Sequence, residues 1–371
     1  MGRSLVLDVA VSGDLVLDEP DAGHWLSGIA PALRAADVAV GHLEVPHTRR
    51  GQELEGDVPA PGAPPENLAA IAEAGFAMLS LAGNHIADCG AEGIADTICS
   101  LDALGIAHAG AGQDIAAARR PAFIDVESRR LALLSYNCVG PEAGWAGTQR
   151  AGAAYLPVLT SDGSPAAPPA PLERASEEAF AMLRGDIEGA RAQADVVLVA
   201  LHKGIVHVPA RLAPYERPLA HAAIEAGADA VLGHHAHIVK GIEIYRGRPI
   251  FHGLGNGCVV TSALSPSQDH PARAEWAERR KRLFGFEPDP AYYLAPFHPE
   301  AISAILGRIG WEADGTVRAG VLPVHVEAPG RPVPAVGERR REIFRYVEHV
   351  TRAGGLPEIE IDEDGWIRAA A

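Results

Sequence analysis

The stretch ADAVLGHHAH, residues 228–237, predicts a buried strand that ends in a group of three histidines. Its run of Ala, Val and Leu is typical of a strand covered on both faces. A helix with Pro in its first turn is predicted before it, at 214–227, and a hairpin after it, at 242–256. Helix, buried strand and hairpin in this order indicate an α/β fold.

Predicted strands and helices alternate from this stretch back to the N-terminus. The strands are predicted at 4–12, at VAVG running into Glu44, at 76–85 and at 195–202. The helices are predicted at 64–75, 92–104 and 173–193, with a hairpin at 123–137. This alternation extends the α/β prediction over most of the chain.

The sequence changes character after residue 260. A polar stretch at 261–300 includes a basic helix with RRKR at 279–282. A hairpin is predicted at 308–327 around Asp314 and Gly315, a helix at 341–355, and one more strand in the last residues. We expect these elements to pack against the preceding fold instead of forming an independent domain.

The predicted organisation is one domain over residues 1–330, with its core at 4–260. Residues 141–172 are largely rich in Pro, Ala and Gly and predict a surface excursion, and 261–300 predict a polar insertion. Residues 331–371 are predicted to be a C-terminal extension packed on the core.

Composition and charge narrow the class of protein. The 371 residues are 47% hydrophobic and 22% charged, and no apolar run reaches the roughly 18 residues that span a bilayer. The formal net charge of −16 argues against binding to nucleic acid or to an anionic membrane. The N-terminus lacks a signal-peptide pattern, and the four cysteines are scattered without a CxxC pair. We therefore expect a cytoplasmic protein; its oligomeric state is not predicted.

Polar side chains follow five of the apolar strands at the point where each strand ends. They are Asp14, Glu44, Asn84 with His85, His202, and His235 with His237. Open α/β sheets gather ligands outside the carboxyl ends of their strands, so these side chains predict one site. A mixed set of carboxylate, amide and imidazole ligands suits Mn, Fe or Zn, and their number is sufficient for two metal ions.

Each of these residues also has a simpler interpretation. A single histidine at a strand end is usually a satisfied polar residue, and Asp14 or Asn84 alone could be a turn residue. The coincidence of five similar strand ends favours the common site. Seven of the 16 histidines lie between His202 and His252, which is the same part of the chain.

The chain resembles the CapA family, also called the poly-γ-glutamate capsule synthesis family, within the calcineurin-like metallophosphoesterase superfamily. The matching segments are SGDLVL (12–17), ADVAVGHLEVP (36–46), 81–112 with GNH, LHKG (201–204), 224–256 with GADAVLGHHAH and GLGN, and more weakly PFHPEA (296–301). The resemblance implies a four-layer α/β/β/α sandwich of two mixed sheets.

The resemblance also implies roles for single residues. The metal ligands would be Asp14, Glu44, Asn84, His202, His235 and His237. His85 would steady the reacting group and protonate the leaving group, and Asp88 would orient His85. His234, which precedes the H-x-H pair, and His252 and Asn256 on the following hairpin would line the substrate pocket.

The sequence departs from the family pattern at two of these places. The D-x-H motif of the superfamily lacks its histidine, because position 16 is Val. Lys203 replaces the aromatic residue that usually follows the strand-end histidine, and an acidic residue often found nearby is absent. Lys203 is a candidate to bind an anionic substrate group, with a solvated loop lysine as the alternative.

These residues predict a metal-dependent hydrolase, and first a dinuclear phosphoesterase that acts on a small anionic substrate. The alternative is amide or γ-glutamyl bond chemistry, in synthesis or cleavage, at the same metal site. A second alternative is a non-catalytic subunit of a biosynthetic complex, which the missing D-x-H histidine favours.

Overall fold

The computed structural model describes residues 5–51, 62–265 and 271–370. The strands, in chain order, are β1 (Leu5–Leu17), β2 (Val38–Leu43), β3 (Phe76–Ser80), β4 (Ala107–Ala109), β5 (Ala111–Gly112), β6 (Ala122–Val126), β7 (Arg129–Asn137), β8 (Gly152–Ala153), β9 (Val158–Thr160), β10 (Leu172–Ala175), β11 (Val196–His202), β12 (Ala230–His234), β13 (Ile242–Tyr245), β14 (Arg248–Phe251), β15 (Asn256–Val260), β16 (Ser303–Glu312), β17 (Val317–Glu327), β18 (Arg331–Pro334), β19 (Ile359–Ile361) and β20 (Ile367–Ala369). The helices are α1 (Ala22–Leu26), α2 (Ala30–Ala35), α3 (Asn67–Ala74), α4 (Gly90–Leu104), α5 (Ile115–Ala118), α6 (Glu177–Arg191), α7 (Glu216–Glu225), α8 (Pro271–Phe284) and α9 (Gly337–Ala353).

Two mixed sheets form the centre of the fold. The first has the strand order β18-β17-β16-β1-β2-β3-β4, and β15 also pairs with β1. Strand β1 is parallel to β2 and β15 and antiparallel to β16. The second sheet has the order β13-β14-β12-β11-β7-β6, with parallel strands at its centre and a hairpin at each edge.

The two sheets pack face to face. One buried cluster takes Val9 and Val40 from the first sheet and Leu133, Leu198 and Leu232 from the second. Helices α1–α4 cover the outer face of the first sheet, and α6 and α7 cover the outer face of the second. The arrangement confirms the predicted α/β class and the order helix, sheet, sheet, helix.

The outer helix α6 shows how the sequence produces such a layer. Ser176 caps its N-terminus by accepting a hydrogen bond from the backbone N–H of Ala179 at 3.0 Å. The buried residues Ala179, Leu183, Ile187 and Ala190 recur every three to four positions, so one face of the helix packs on the sheet. The predicted start at 173 was too early, because residues 172–175 form β10.

Residues beyond 260 complete the first sheet. Strand β16 pairs with the N-terminal half of β1, and β17 and β18 extend the sheet beyond it. The predicted boundary at residue 330 falls in the turn between β17 and β18, where Glu327 pairs with Arg331. Helix α9 then packs Ile343 and Val347 into the cluster between the sheets.

The polar insertion contains helix α8, on which Ala277 and Arg280 are buried. The excursion at 141–172 contains the short strands β8 and β9. Among the helices of the described residues, none combines the length and the apolar character that crossing a bilayer requires.

Candidate metal centre

Strand pairing brings the predicted site residues to one edge of the two sheets. Asp14 pairs with His42 in the ladder between β1 and β2, and His202 pairs with His234 in the ladder between β11 and β12. Asn84 follows β3. The carboxyl ends of these parallel strands therefore lie together, as the strand-end rule predicts.

A close approach of two backbones sets the position of Asp14. Its backbone N–H donates to the Gly255 carbonyl oxygen at 3.0 Å, and β1 has an irregularity between Asp14 and Leu15. A Cβ atom on Gly13 would lie 1.9 Å from that same oxygen. Only glycine fits at position 13, and this contact holds the start of β15 against the end of β1.

The first group of donor atoms comes from Asp14, Glu44 and His237. Asp14 Oδ2 lies 3.5 Å from His237 Nδ1, and Glu44 Oε1 lies 3.2 Å from His237 Nε2. Both carboxylates are at most 1% exposed. His237 Nδ1 also lies 2.9 Å from Asn256 Oδ1, so Asn256 orients this imidazole.

The second group comes from Asn84, His202 and His235. Asn84 Oδ1 lies 2.6 Å from His202 Nε2, which in turn lies 3.1 Å from His235 Nδ1. His202 Nε2 carries at most one proton, so it cannot donate a full hydrogen bond to both Asn84 Oδ1 and His235 Nδ1. An amide oxygen and two ring nitrogens in successive close contact are of the kind that a shared cation would separate and satisfy.

His42 also belongs to the centre, and the sequence analysis missed it. Its ring stacks against those of His234 and His202, with centroids 4.6 and 4.7 Å away. One ring nitrogen lies 2.9 Å from Ser80 Oγ, and ligand atoms of Asp14, His42 and His202 lie within 4.8 Å of one another. The signal was available: His42 is two residues before Glu44, and alternate residues of an extended chain share a face.

Burial keeps most of the imidazoles in the form that binds metals. It lowers the pKa of His42 to about 4 and those of His234 and His235 to about 3, and the pKa of His202 falls well below its ordinary value. These rings are therefore neutral at physiological pH. Neutral imidazole is the species that ligates a metal.

The carboxylates and His237 behave as a coupled group. Burial and the nearby Glu44 raise the pKa of Asp14 to about 7. Burial also acts to raise the pKa of Glu44, but the positive charge of His237 outweighs it and lowers the pKa to about 2. Burial acts to lower the pKa of His237, and the charge of Glu44 reverses this and raises it to about 9. In the absence of a cation, His237 supplies the positive charge that the carboxylates require.

Several buried polar atoms of this group have no hydrogen-bond partner within the described ranges. They are Oε2 of Glu44, Nε2 of His42, Nδ1 of His202 and Nε2 of His235. A buried polar atom left unsatisfied costs about 1–3 kcal/mol. Unpartnered oxygen and nitrogen atoms of these types fit divalent Mn, Fe or Zn.

The backbone is strained at two of the histidines. His235 has a φ of 84° and His237 a φ of 52°, both in the left-handed region that residues other than glycine rarely adopt. Strain of this kind persists only where the surroundings fix it, and it clusters at binding sites. Here it turns two side chains, spaced by one residue, into the same centre.

His85 and Asp88 lie as the family resemblance implies. His85 Nδ1 is 2.7 Å from Asp88 Oδ2, and the imidazole is 13% exposed while the carboxylate is buried. His85 and Asn84 line the cavity that opens beside the donor groups. His85 therefore has access to a molecule in that cavity.

Two predicted substrate-binding residues are not in the cavity, and the prediction for them does not fit the geometry. Lys203 is fully buried, and its Nζ lies 2.8 Å from Glu216 Oε2 and 3.1 Å from the His252 carbonyl oxygen. His252 is also fully buried, with Nε2 at 3.3 Å from Glu243 Oε2. Both side chains are committed to internal partners, so neither is available to a substrate.

The other two predicted pocket residues contact the donor groups directly. His234 Nδ1 lies 3.1 Å from Asp14 Oδ1, which places this ring among the donors. Asn256 contacts His237 and is 6% exposed. Both residues therefore orient side chains of the candidate centre.

Comparison with known proteins agrees with the predicted family. The family described as "Bacterial capsule synthesis protein PGA_cap" matches residues 8–259. A relative from Mycobacterium tuberculosis, named "Probable polyglutamine synthesis accessory protein", is 32% identical over 239 residues, which are 63% of this chain and 59% of the relative. Capsule biosynthesis protein CapA of Bacillus anthracis is 28% identical over 232 residues, 62% of this chain and 52% of that protein.

The chain belongs to the PGA_cap family of bacterial capsule synthesis proteins. Its match spans between a half and three fifths of the length of the two curated relatives. Among solved structures, the calcineurin-like phosphoesterase YfkN from Bacillus subtilis has a TM-score of 0.38 at 12% identity, over 94% of this chain and 97% of that one. So distant a likeness carries no argument about activity.

Proposed function

We propose that this protein is a metal-dependent hydrolase, most directly a dinuclear phosphoesterase that acts on a small anionic substrate. The observation that carries the proposal is the convergence of buried carboxylate and imidazole side chains, several of which keep a polar atom without a partner within the described residues. Such a set is unfavourable by itself and becomes favourable around cations.

The two donor groups define how the chain would hold the metal ions. Asp14, Glu44 and His237 would hold one, and Asn84, His202 and His235 the other. His42 contributes a ring nitrogen beside Asp14 and His202, which offsets the absence of a histidine at position 16. When bound, two divalent cations supply Lewis acidity toward a phosphoryl or carbonyl oxygen.

His85 is the residue placed to handle the proton of the leaving group. Asp88 accepts a hydrogen bond from its Nδ1, which fixes the ring and stabilises the imidazolium form. The other ring nitrogen, Nε2, then carries the proton that a leaving oxygen requires. A positioned general acid contributes about 10²–10⁴-fold to a rate.

The names of the relatives favour a second candidate at the same site. One relative is named as an accessory protein of polyglutamine synthesis and another as a capsule biosynthesis protein. Amide or γ-glutamyl bond chemistry would use the same donors, because a Lewis acid polarises a carbonyl oxygen as it does a phosphoryl oxygen. A non-catalytic accessory role is the outcome if neither bond is cleaved.

The test compares His202→Ala with His349→Ala. His349 is an exposed histidine on α9 and serves as the matched control. We measure bound Mn, Fe and Zn by elemental analysis, and hydrolysis of 4-nitrophenyl phosphate and γ-glutamyl-4-nitroanilide. The wild type and the control are expected to bind close to two metal ions per chain and to cleave one of the substrates.

His202→Ala is expected to lose metal and at least about 100-fold in rate, because it removes a ligand and not only a supporting hydrogen bond. Metal content and activity that are equal in the two variants would overturn the proposal. If the protein binds metal but cleaves neither substrate, the hydrolase proposal fails and the non-catalytic accessory role is the interpretation that remains.

A further inference from the structure

A cavity of about 490 Å³ adjoins the metal centre. His85, His235 and His237 line one part of it, and Trp276, Arg280 and Phe284 of helix α8 line another. This volume lies in the range of small-molecule sites, about 300–1,000 Å³. Most residues in the wall of the cavity are apolar, and few are charged. Each charged side chain therefore indicates what kind of molecule the cavity can bind.

Arg280 is a buried cation with no counter-charge among the residues that the structure describes. The residue is 3% exposed, and none of its three guanidinium nitrogens has a hydrogen-bond partner among the described residues. Burial lowers the pKa of the guanidinium to about 10. The group therefore remains protonated at neutral pH and carries its charge without a partner in the described parts of the chain.

Two other arginines that are partly buried are each paired with a carboxylate. Arg119 meets Asp186 at 2.8 Å, and Arg217 meets Glu243 at 2.7 Å. A buried charge without a partner is costly, and a planar guanidinium is suited to binding carboxylate or phosphate with two parallel hydrogen bonds. Arg280 therefore has the chemistry of a site for an oxyanion.

His207 supports the same interpretation. Its backbone is left-handed, with a φ of 58°, and its Nδ1 has no partner in the part of the chain that the structure describes. Its ring contacts Phe284 edge-on at 4.8 Å and lies 5.9 Å from the ring of His237. A molecule in the cavity would thus lie against residues of the metal centre, against His207 and against Arg280 together.

We propose that Arg280 binds an oxyanion of the substrate that is separate from the group that reacts at the metal centre. The substrate class is then a small molecule with a carboxylate or phosphate remote from the scissile bond, its body packed against Phe284 and Trp276. The part of this inference that concerns the reacting group rests on the proposed hydrolase function. The binding of an oxyanion by Arg280 does not depend on it. Helix α8 lies outside residues 8–259, so the anion site is not part of the region that the family model matches.

The first experiment measures anion binding to the metal-free, full-length protein. Wild type, Arg280→Met and Arg282→Met are titrated with inorganic phosphate and with glutarate at constant ionic strength, by calorimetry. Arg282 is an exposed arginine on the same helix, so its variant changes the net charge equally. Arg280→Met is expected to bind at least one of the two anions about tenfold more weakly, which is the range of a lost charged hydrogen bond.

Arg282→Met is expected to bind as the wild type does. The anion whose affinity depends on Arg280 identifies the carboxylate or the phosphate as the group that it recognises. Equal affinities of wild type and Arg280→Met for both anions would overturn the proposal. Equal losses in both variants would also overturn it, because they would show a general effect of net charge.

A melting experiment separates binding from structure. Removal of an uncompensated buried cation is expected to leave the melting temperature of Arg280→Met equal to or above that of the wild type without anion. A large drop in melting temperature would assign Arg280 a structural role and would contradict the proposal.

A kinetic experiment links the site to the reaction. The KM of Arg280→Met is expected to rise about tenfold for a phosphate ester that carries a carboxylate, such as 3-phosphoglycerate, and to stay unchanged for 4-nitrophenyl phosphate. If neither ester is hydrolysed, the proposed function fails while anion binding still decides the role of Arg280. If both are hydrolysed with equal KM in wild type and variant, the role of Arg280 in substrate recognition fails and the proposed function stands.

Discussion

Two buried polar clusters meet at the end of β11, and they are opposite in character. His202, the last residue of the strand, belongs to the metal centre, while the next residue, Lys203, belongs to a cluster with Glu216 and Lys240. In this ion cluster, Lys203 Nζ lies 2.8 Å from one oxygen of Glu216 and Lys240 Nζ lies 3.8 Å from the other. Lys240 also donates to the Arg211 carbonyl oxygen at 2.9 Å.

The two clusters differ in how completely their polar atoms are satisfied. In the ion cluster each charge meets an opposite charge or a carbonyl oxygen, so nothing remains for a ligand. In the metal centre, one oxygen of Glu44 and one nitrogen each of His42, His202 and His235 have no partner among the described residues. Burial alone therefore does not identify a functional site; buried polar atoms without partners do.

The ion cluster positions the strand end that carries His202, a ligand in the proposed function. Gly204, with a φ of 101°, packs so closely that a Cβ atom would lie 2.7 Å from Glu216 Oε2. The Gly204 N–H also donates to Tyr215 Oη at 2.8 Å. The chain after β11 is thus held from both sides, which fixes the direction of the imidazole two residues earlier.

The largest effect that we predict is the loss of stability in Glu216→Gln. The variant leaves two buried lysines facing a neutral amide, and breaking a buried ion pair costs about 3–5 kcal/mol. Chemical unfolding monitored by circular dichroism measures the change. Glu338→Gln, at an exposed pair with Arg341 on α9, is the matched control and is expected to leave the transition in place. Equal transitions for the two variants would show that the ion cluster does not stabilise the fold.

A second prediction concerns the metal centre, where stability should depend on added cation. Mn²⁺ at about 100 times its dissociation constant should stabilise the metal-free wild type by about 2.7 kcal/mol. His202→Ala should lose most of this increment, because a ligand is removed. Glu216→Gln should keep it, although its starting stability is lower, since the ion cluster supplies no donor atom.

Unfolding with and without Mn²⁺ measures the increment in each variant. An increment lost in both variants would mean that the two clusters act as one unit. An increment kept in His202→Ala would mean that the cation binds elsewhere.

Much of the centre could be predicted because strand ends obey a simple geometric rule. Asp14, Glu44, His202, His235 and His237 each follow an apolar run, and parallel strands bring such ends to one edge. The layers could be predicted for a related reason, since buried strands that alternate with amphipathic helices allow few packings. Neither step requires knowledge of contacts between distant residues.

Lys203 shows where this reasoning fails. The sequence places it at a strand end, but it does not show whether the side chain points to the cavity or into the core. Its partner Glu216 is 13 residues away, at the first position of α7, and only the folded backbone brings the two together. Long-range pairing of this kind leaves no local pattern.

Arg280 was missed for a different reason. The run RRKR at 279–282 looks like the exposed face of a basic helix, and most of it is exposed or half-exposed. Yet Ala277, Arg280 and Phe284 recur at the three- and four-residue spacing of one helix face. The spacing therefore indicated a buried face, but the charge of Arg280 made this residue look like part of the exposed face.

The smallest predicted effect is a change with pH in the difference between wild type and Glu216→Gln. Burial acts to raise the pKa of Glu216, but Lys203 and then Lys240 outweigh it and lower the pKa from its ordinary 4.5 to about 2. A carboxylate with a lowered pKa contributes stability that is fully present above pH 4.5 and is lost as the pH falls toward 2, by at most about 1.4 kcal/mol per pH unit. The unfolding free energies of the two proteins, measured at about pH 7, 6 and 3.5, should therefore differ equally at the first two values and less at the third. A difference that stays constant down to pH 3.5 would mean that the shape of Glu216, and not its charge, holds the ion cluster together.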